Sequence, residues 1–127
     1  MKVAIDTNRY TDFMRGIPEA VATFRSADHL AVPLVVLAEL RAGFLCGTKG
    51  RENERILVRF LGRDRVRVLY PEEATTHLYA RIFSELRSKG SPIPTNDLWI
   101  AALAMQHDLP VYTRDPHFER IEGLATL

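Results

Sequence analysis

Four acidic residues of the 127-residue chain stand where a carboxylate needs explaining. Asp6 follows the short apolar run Val3-Ala4-Ile5, so it falls at the carboxyl end of a strand, the edge of a parallel sheet where ligands bind. Capping of the next helix by Asp6 or Thr7 is the plainer alternative. Glu39 has Val35, Val36, Ala42 and Gly43 three and four residues away on a helix, and none is a cation. A carboxylate buried without a partner is costly or takes up a proton. Solvent, a distant arginine or a metal ion each resolves that. Asp97 lies in the first turn of a helix, where the dipole alone favours an anion by about 0.3–1 kcal/mol. Asp115 follows the strand pattern Val111-Tyr112 in Thr113-Arg114-Asp115-Pro116, which also reads as a turn opening a short helix.

Each acid alone has a structural reading, but the four share a layout. Asp6 and Asp115 end strands, Asp97 opens the helix leading into the second of them, and Glu39 rides an apolar helix that must pack on the sheet. Converging carboxylates repel one another and favour a cation among them. Oxygen donors without paired histidines or cysteines suit Mg²⁺ or Mn²⁺ rather than zinc. One such ion, or two about 3.5–4 Å apart, can activate water and stabilise the leaving oxygen in phosphodiester hydrolysis.

The elements that position these acids alternate short strands with helices. Strands are expected at 2–5, 29–32, 66–69 and 111–112, with 124–127 as a last edge strand. Helices are expected at 8–15 (stopped by Gly16), from Pro18 to near Asp28, at 34–46, 50–61, 72–89 (stopped by Gly90) and from 95 to about 107. The stretch 98–105 is apolar on every side, so its helix belongs in the middle of the domain. This pattern gives an α/β fold with a parallel sheet between helices.

Length and composition agree. One domain, residues 1–127, is the expected organisation, and 46% apolar residues supply its core. The longest apolar run spans nine residues, 30–38, half of the ~18 that cross a bilayer, and no signal peptide is expected. The single Cys46 leaves no internal disulfide and suits a reducing cytoplasm. A net charge of +1 does not announce a nucleic-acid binder, although fourteen of the seventeen cations are arginine, the side chain suited to phosphate.

Four stretches in order, Ile5-Asp6-Thr7-Asn8, residues 36–43 around Glu39, residues 94–102 around Asp97, and Val111-Tyr112-Thr113-Arg114-Asp115 with Phe118 and Ile121-Glu122-Gly123-Leu124, carry a family resemblance across nearly the whole chain. The sequence resembles the PIN-domain ribonucleases, specifically the VapC toxins of bacterial toxin–antitoxin pairs. The resemblance implies a PIN-like three-layer α/β/α sandwich around a mostly parallel five-stranded sheet. It implies a Mg²⁺- or Mn²⁺-dependent endoribonuclease that hydrolyses RNA phosphodiester bonds, working as a homodimer held in a hetero-oligomer by a small VapB-like antitoxin. Asp6, Glu39 and Asp97 match the family's three main acids. Asp115 matches a fourth position that is often asparagine in relatives, Thr113 a supporting hydroxyl, and Asn8 a polar residue beside the first acid.

Other residues carry weaker signals. Arg9, Arg41 and Arg114 each lie within a few residues of a proposed ligand, to hold a substrate phosphate or to neutralise the acids. Arg51, Arg55, Arg59 and Arg63 recur every fourth residue, a pattern more common on a solvated helix face than on an RNA contact. His29, His77, His107 and His117 lack metal-ligand spacing and read as structural. Trp99, Tyr79 and Phe83 read as core packing, and Cys46 as buried and inert. Two rival functions remain. A phosphatase with a strand-end Asp nucleophile expects a second Asp where Asn8 stands, and a catalytically silent RNA- or protein-binding module would not need four intact acids.

Overall fold

The computed structural model of the protein describes residues 1–127. Its elements are β1 (Lys2–Ile5), α1 (Thr7–Met14), α2 (Pro18–Ser26), β2 (His29–Pro33), α3 (Leu34–Cys46), α4 (Gly50–Leu61), β3 (Val66–Leu69), α5 (Glu73–Ser88), α6 (Thr95–Gln106) and β4 (Val111–Tyr112), followed by a 3-10 turn at Pro116–Arg120. The strands are too short to bury a face alone, so each is covered by helices, and all pair in parallel in the order β3-β2-β1-β4. β1 is flanked on both sides, and Val3, Ala4 and Ile5 are fully buried. The sheet has four strands, not five. The expected 124–127 strand is reduced to one parallel bridge between Val111 and Thr126. β4 is two residues long, so its outer edge offers too little backbone for a longer ladder.

α6 is the central helix that its composition demands: Leu98 and Ile100 to Ala104 are all buried. Three of these are alanines, small enough for close approach to its neighbours. Gly16 and Gly90 stop α1 and α5 at φ 72° and 67°, a left-handed conformation that side chains disfavour. Phe13 and Phe24 stack with ring centroids 4.4 Å apart, and Tyr10 meets Phe60 edge-on at 5.3 Å. These contacts fix α1, and with it the residue at its N-cap, Asp6.

α3 departs from expectation. It is nearly all apolar, yet only Val36, Leu37 and Leu40 are buried, and Leu45 is 88% exposed. Its first half lies against the sheet, and its last turn runs past it. Cys46, in that last turn, is therefore exposed, not buried. Trp99 packs on Tyr79 at 4.4 Å, linking α6 to α5, whereas Phe83 on the outer side of α5 is exposed. No helix is long and apolar enough to cross a membrane.

Candidate metal centre

The parallel sheet puts the carboxyl ends of β1 and β4 side by side, which brings Asp6 next to Thr113. Asp6 caps α1: its Oδ1 accepts the Arg9 N–H at 2.9 Å, while Oδ2 accepts the Thr113 hydroxyl. The capping and ligand readings of Asp6 thus coexist, because a carboxylate that accepts one donor on each oxygen keeps further lone pairs. Thr113 Oγ1 also accepts the Asp115 N–H at 2.9 Å, so one hydroxyl ties the two strand-end acids together. Thr7 donates to Glu39 Oε1 at 2.7 Å, joining the start of α1 to the middle of α3. Asp97 enters from the first turn of α6, and its Oδ2 lies 3.0 Å from His117 Nδ1.

The result is one cavity of about 450 Å³ lined by Asp6, Glu39, Asp97 and Asp115, with Asn8 at its exposed edge. No lysine or arginine lines it. Burial pushes the Asp6 carboxyl up, against the Thr113 and Arg9 hydrogen bonds that lower it. Burial also raises Asp97, opposed by the His117 hydrogen bond and reinforced by the charges of Asp115 and Glu39. Two acids held above their usual range by burial and by the shared charge of Asp115 are what an anionic pocket produces.

The three arginines point elsewhere. Arg9 is buried, with Nη1 3.5 Å from Asp12, Nη2 3.2 Å from Glu19 and its guanidinium 4.2 Å over the Tyr112 ring. Arg114 Nε lies 3.0 Å from Asp12 Oδ2 and Nη2 3.3 Å from Oδ1. Arg41 makes a paired contact with Glu54 of α4 at 3.1 and 3.0 Å. None of the three reaches the acid cavity. Arg51 and Arg55 line a separate open groove between α3 and α4, while Arg65 donates to the carbonyls of Phe24 and Ala27.

His117 and Asp12 are what sequence reasoning passed over. His117 lacks metal-ligand spacing in the sequence, yet its ring nitrogen sits between Asp97 and Asp115, at 3.0 and 3.1 Å. The strand-end position of Asp115, two residues earlier, was the available signal. Asp12 gave none, because Arg114 is 102 residues away in sequence.

A PIN-domain family model matches residues 3–124. Ribonuclease VapC1 of Haemophilus influenzae is 32% identical over 125 residues, covering 94% of this chain and 92% of that protein. Ribonuclease VapC5 of Mycobacterium tuberculosis is 32% identical over 100 residues, covering 79% and 74%. Among solved structures, VapBC-1 from nontypeable Haemophilus influenzae superposes with a TM-score of 0.87 at 30% identity, covering 100% of this chain and 97% of that one. VapBC2 from Rickettsia felis, bound to a DNA fragment from its promoter, also gives 0.87, at 26% identity and 100% and 98% coverage. The chain therefore belongs to the PIN-domain family, and within it to the VapC ribonucleases.

Proposed function

We propose that this protein, as a single PIN domain over residues 1–127, is the endoribonuclease toxin of a VapBC-type pair, dependent on Mg²⁺ or Mn²⁺. The observation that carries the reading is the convergence of Asp6, Glu39, Asp97 and Asp115 on one cavity with no lysine or arginine in its lining. The donor set fits a hard divalent cation. Glu39 Oε2, Asp97 Oδ1 and Asp115 Oδ2 receive no hydrogen bond from the chain, and both Asp6 oxygens keep a free lone pair.

Asp6, Glu39, Asp97 and Asp115 would hold the divalent cation, which would supply Lewis acidity toward a water and the phosphate. The chain's own groups do the positioning. Thr113 fixes the Asp6 carboxylate, Thr7 fixes Glu39, and the 3-10 turn aims Asp115 inward. Asn8, exposed at the edge, offers a neutral donor to an incoming phosphate or ribose. No histidine is needed as a general base.

The partner reading extends the complexes seen for the relatives: an antitoxin of the VapB kind, RNA as substrate, and a homodimer within a toxin–antitoxin assembly, in the cytoplasm. The exposed Leu34 and Leu45 on α3 suit a surface that such an assembly covers. The test is cleavage of RNA in Mg²⁺ or Mn²⁺, repeated with EDTA and with Asp6→Asn. Cleavage abolished by both is expected. Cleavage that survives EDTA or the substitution contradicts the metal mechanism, and RNA binding without cleavage identifies a silent module.

A further inference from the structure

The carboxylate set explains a cation but not the imidazole placed against it. The turn after β4 delivers that imidazole: Asp115 Oδ1 caps the 3-10 turn by accepting the His117 N–H at 2.9 Å, and Pro116 stiffens the connection. His117 is therefore held by its own backbone, with its side chain one-third exposed (33%) and its Nδ1 edge turned inward. Nδ1 lies 3.0 Å from Asp97 Oδ2 and 3.1 Å from Asp115 Oδ1, and one atom from each of the three residues falls within 4.8 Å of the others.

Those separations have a second meaning. Adjacent ligands at about 2.1 Å from an octahedral ion lie about 3 Å apart, and opposite ones about 4.2 Å apart. The two short separations, 3.0 and 3.1 Å, match those of neighbouring ligands on one cation. The Nδ1 edge of His117 faces both carboxylates, the same direction from which a cation held by them would be reached.

Resting on the metal-centre reading above, we propose that His117 Nδ1 is a direct ligand of the bound cation together with Asp97 and Asp115. The centre is then a mixed nitrogen–oxygen site. A nitrogen ligand adds more affinity for first-row transition ions, Mn²⁺ the least of them, than for Mg²⁺, so His117 shifts the Mn²⁺-to-Mg²⁺ balance toward Mn²⁺.

Pulsed EPR on the full chain loaded with one equivalent of Mn²⁺ tests this without any assay of cleavage. The expected spectrum shows ¹⁴N modulation from a directly bound imidazole. In His117→Gln that modulation is lost, while calorimetry finds Mn²⁺ affinity down about 10-fold or more and Mg²⁺ affinity changed by less than about 3-fold. Mn²⁺ binding to the wild-type chain without nitrogen coupling overturns the inference and leaves the carboxylate centre standing. An unchanged Mn²⁺-to-Mg²⁺ affinity ratio in His117→Gln does the same. A wild-type chain that binds neither ion removes the metal-centre reading as well, and the wild-type spectrum decides the ligand question even if the variant folds poorly.

Discussion

Asp6 and Asp12 lie six residues apart at the two ends of α1's first turns, and both are almost fully buried, 4% and 6% exposed. Their surroundings are opposite. Asp12 accepts the Arg114 guanidinium at 3.0 and 3.3 Å with Arg9 at 3.5 Å, and the Arg114 hydrogen bond, its largest influence, holds its carboxyl below the usual range. Asp6 has only a hydroxyl and a backbone N–H, and burial pushes its carboxyl up. Arg9 and Arg114 are thus taken by the structural acid, and Arg41 by Glu54. The difference separates a cluster that stabilises the fold from one that stores an unmet demand for positive charge. Arg9 and Arg114, expected to hold a substrate phosphate or to neutralise the acids, are engaged by Asp12, and Arg9 also acts on Asp6 through its charge.

The comparison breaks most sharply at Asp97. Asp97→Asn should lower metal-dependent RNA cleavage by about 10³–10⁴-fold, about 4–5 kcal/mol of transition-state stabilisation, measured as single-turnover rates on a labelled RNA. Its metal-free melting temperature should not fall, because a disfavoured charge is removed. Asp12→Ala should do the reverse. Leaving Arg9 buried without its partner costs about 3–4 kcal/mol, the lower part of the range for a broken buried pair because Glu19 still reaches Arg9. Thermal unfolding should drop by about 10 °C. A stable Asp12→Ala protein would show that the arginine cluster is not structural.

Thr113→Val is a subtler probe. It keeps the volume but deletes the hydroxyl joining Asp6 to Asp115, and calorimetry should show Mn²⁺ affinity lowered by about 10–100-fold with little change in stability. The smallest effect is on pH. Asp6 and Asp97 have folded-state values above their unfolded ones, so their burial costs nothing at low pH and destabilises progressively as the pH climbs from about 4 through the raised values. Asp12 is shifted down, so its stabilisation is present throughout that interval and is lost only at lower pH. The metal-free melting temperature should therefore decline from mildly acidic to neutral pH, and Asp97→Asn should flatten that decline. An identical slope in wild type and variant would contradict the assignment.

Much of this was legible before the structure because the signals were local. Gly16 and Gly90 marked helix ends, the apolar run of α6 required a central position, and strand-end placement singled out Asp6 and Asp115. What escaped depended on contacts between distant stretches. His117 acquires its meaning from Asp97, 20 residues earlier, and Glu39 is anchored by Thr7, 32 residues earlier. The apolar composition of α3 suggested complete burial, but periodicity does not reveal where a helix outruns its sheet, so Cys46 and Leu45 emerged exposed. The fifth strand failed for a similar reason: its β-like sequence met a neighbour two residues long.

The central claim is that the acid cavity holds a divalent cation, and a Mn²⁺ titration of metal-stripped protein followed by thermal unfolding tests it most directly. The melting temperature should climb as the site fills, by an amount equivalent to about 2.7 kcal/mol when free Mn²⁺ reaches one hundred times its dissociation constant. A melting temperature that stays flat across the whole titration would contradict it.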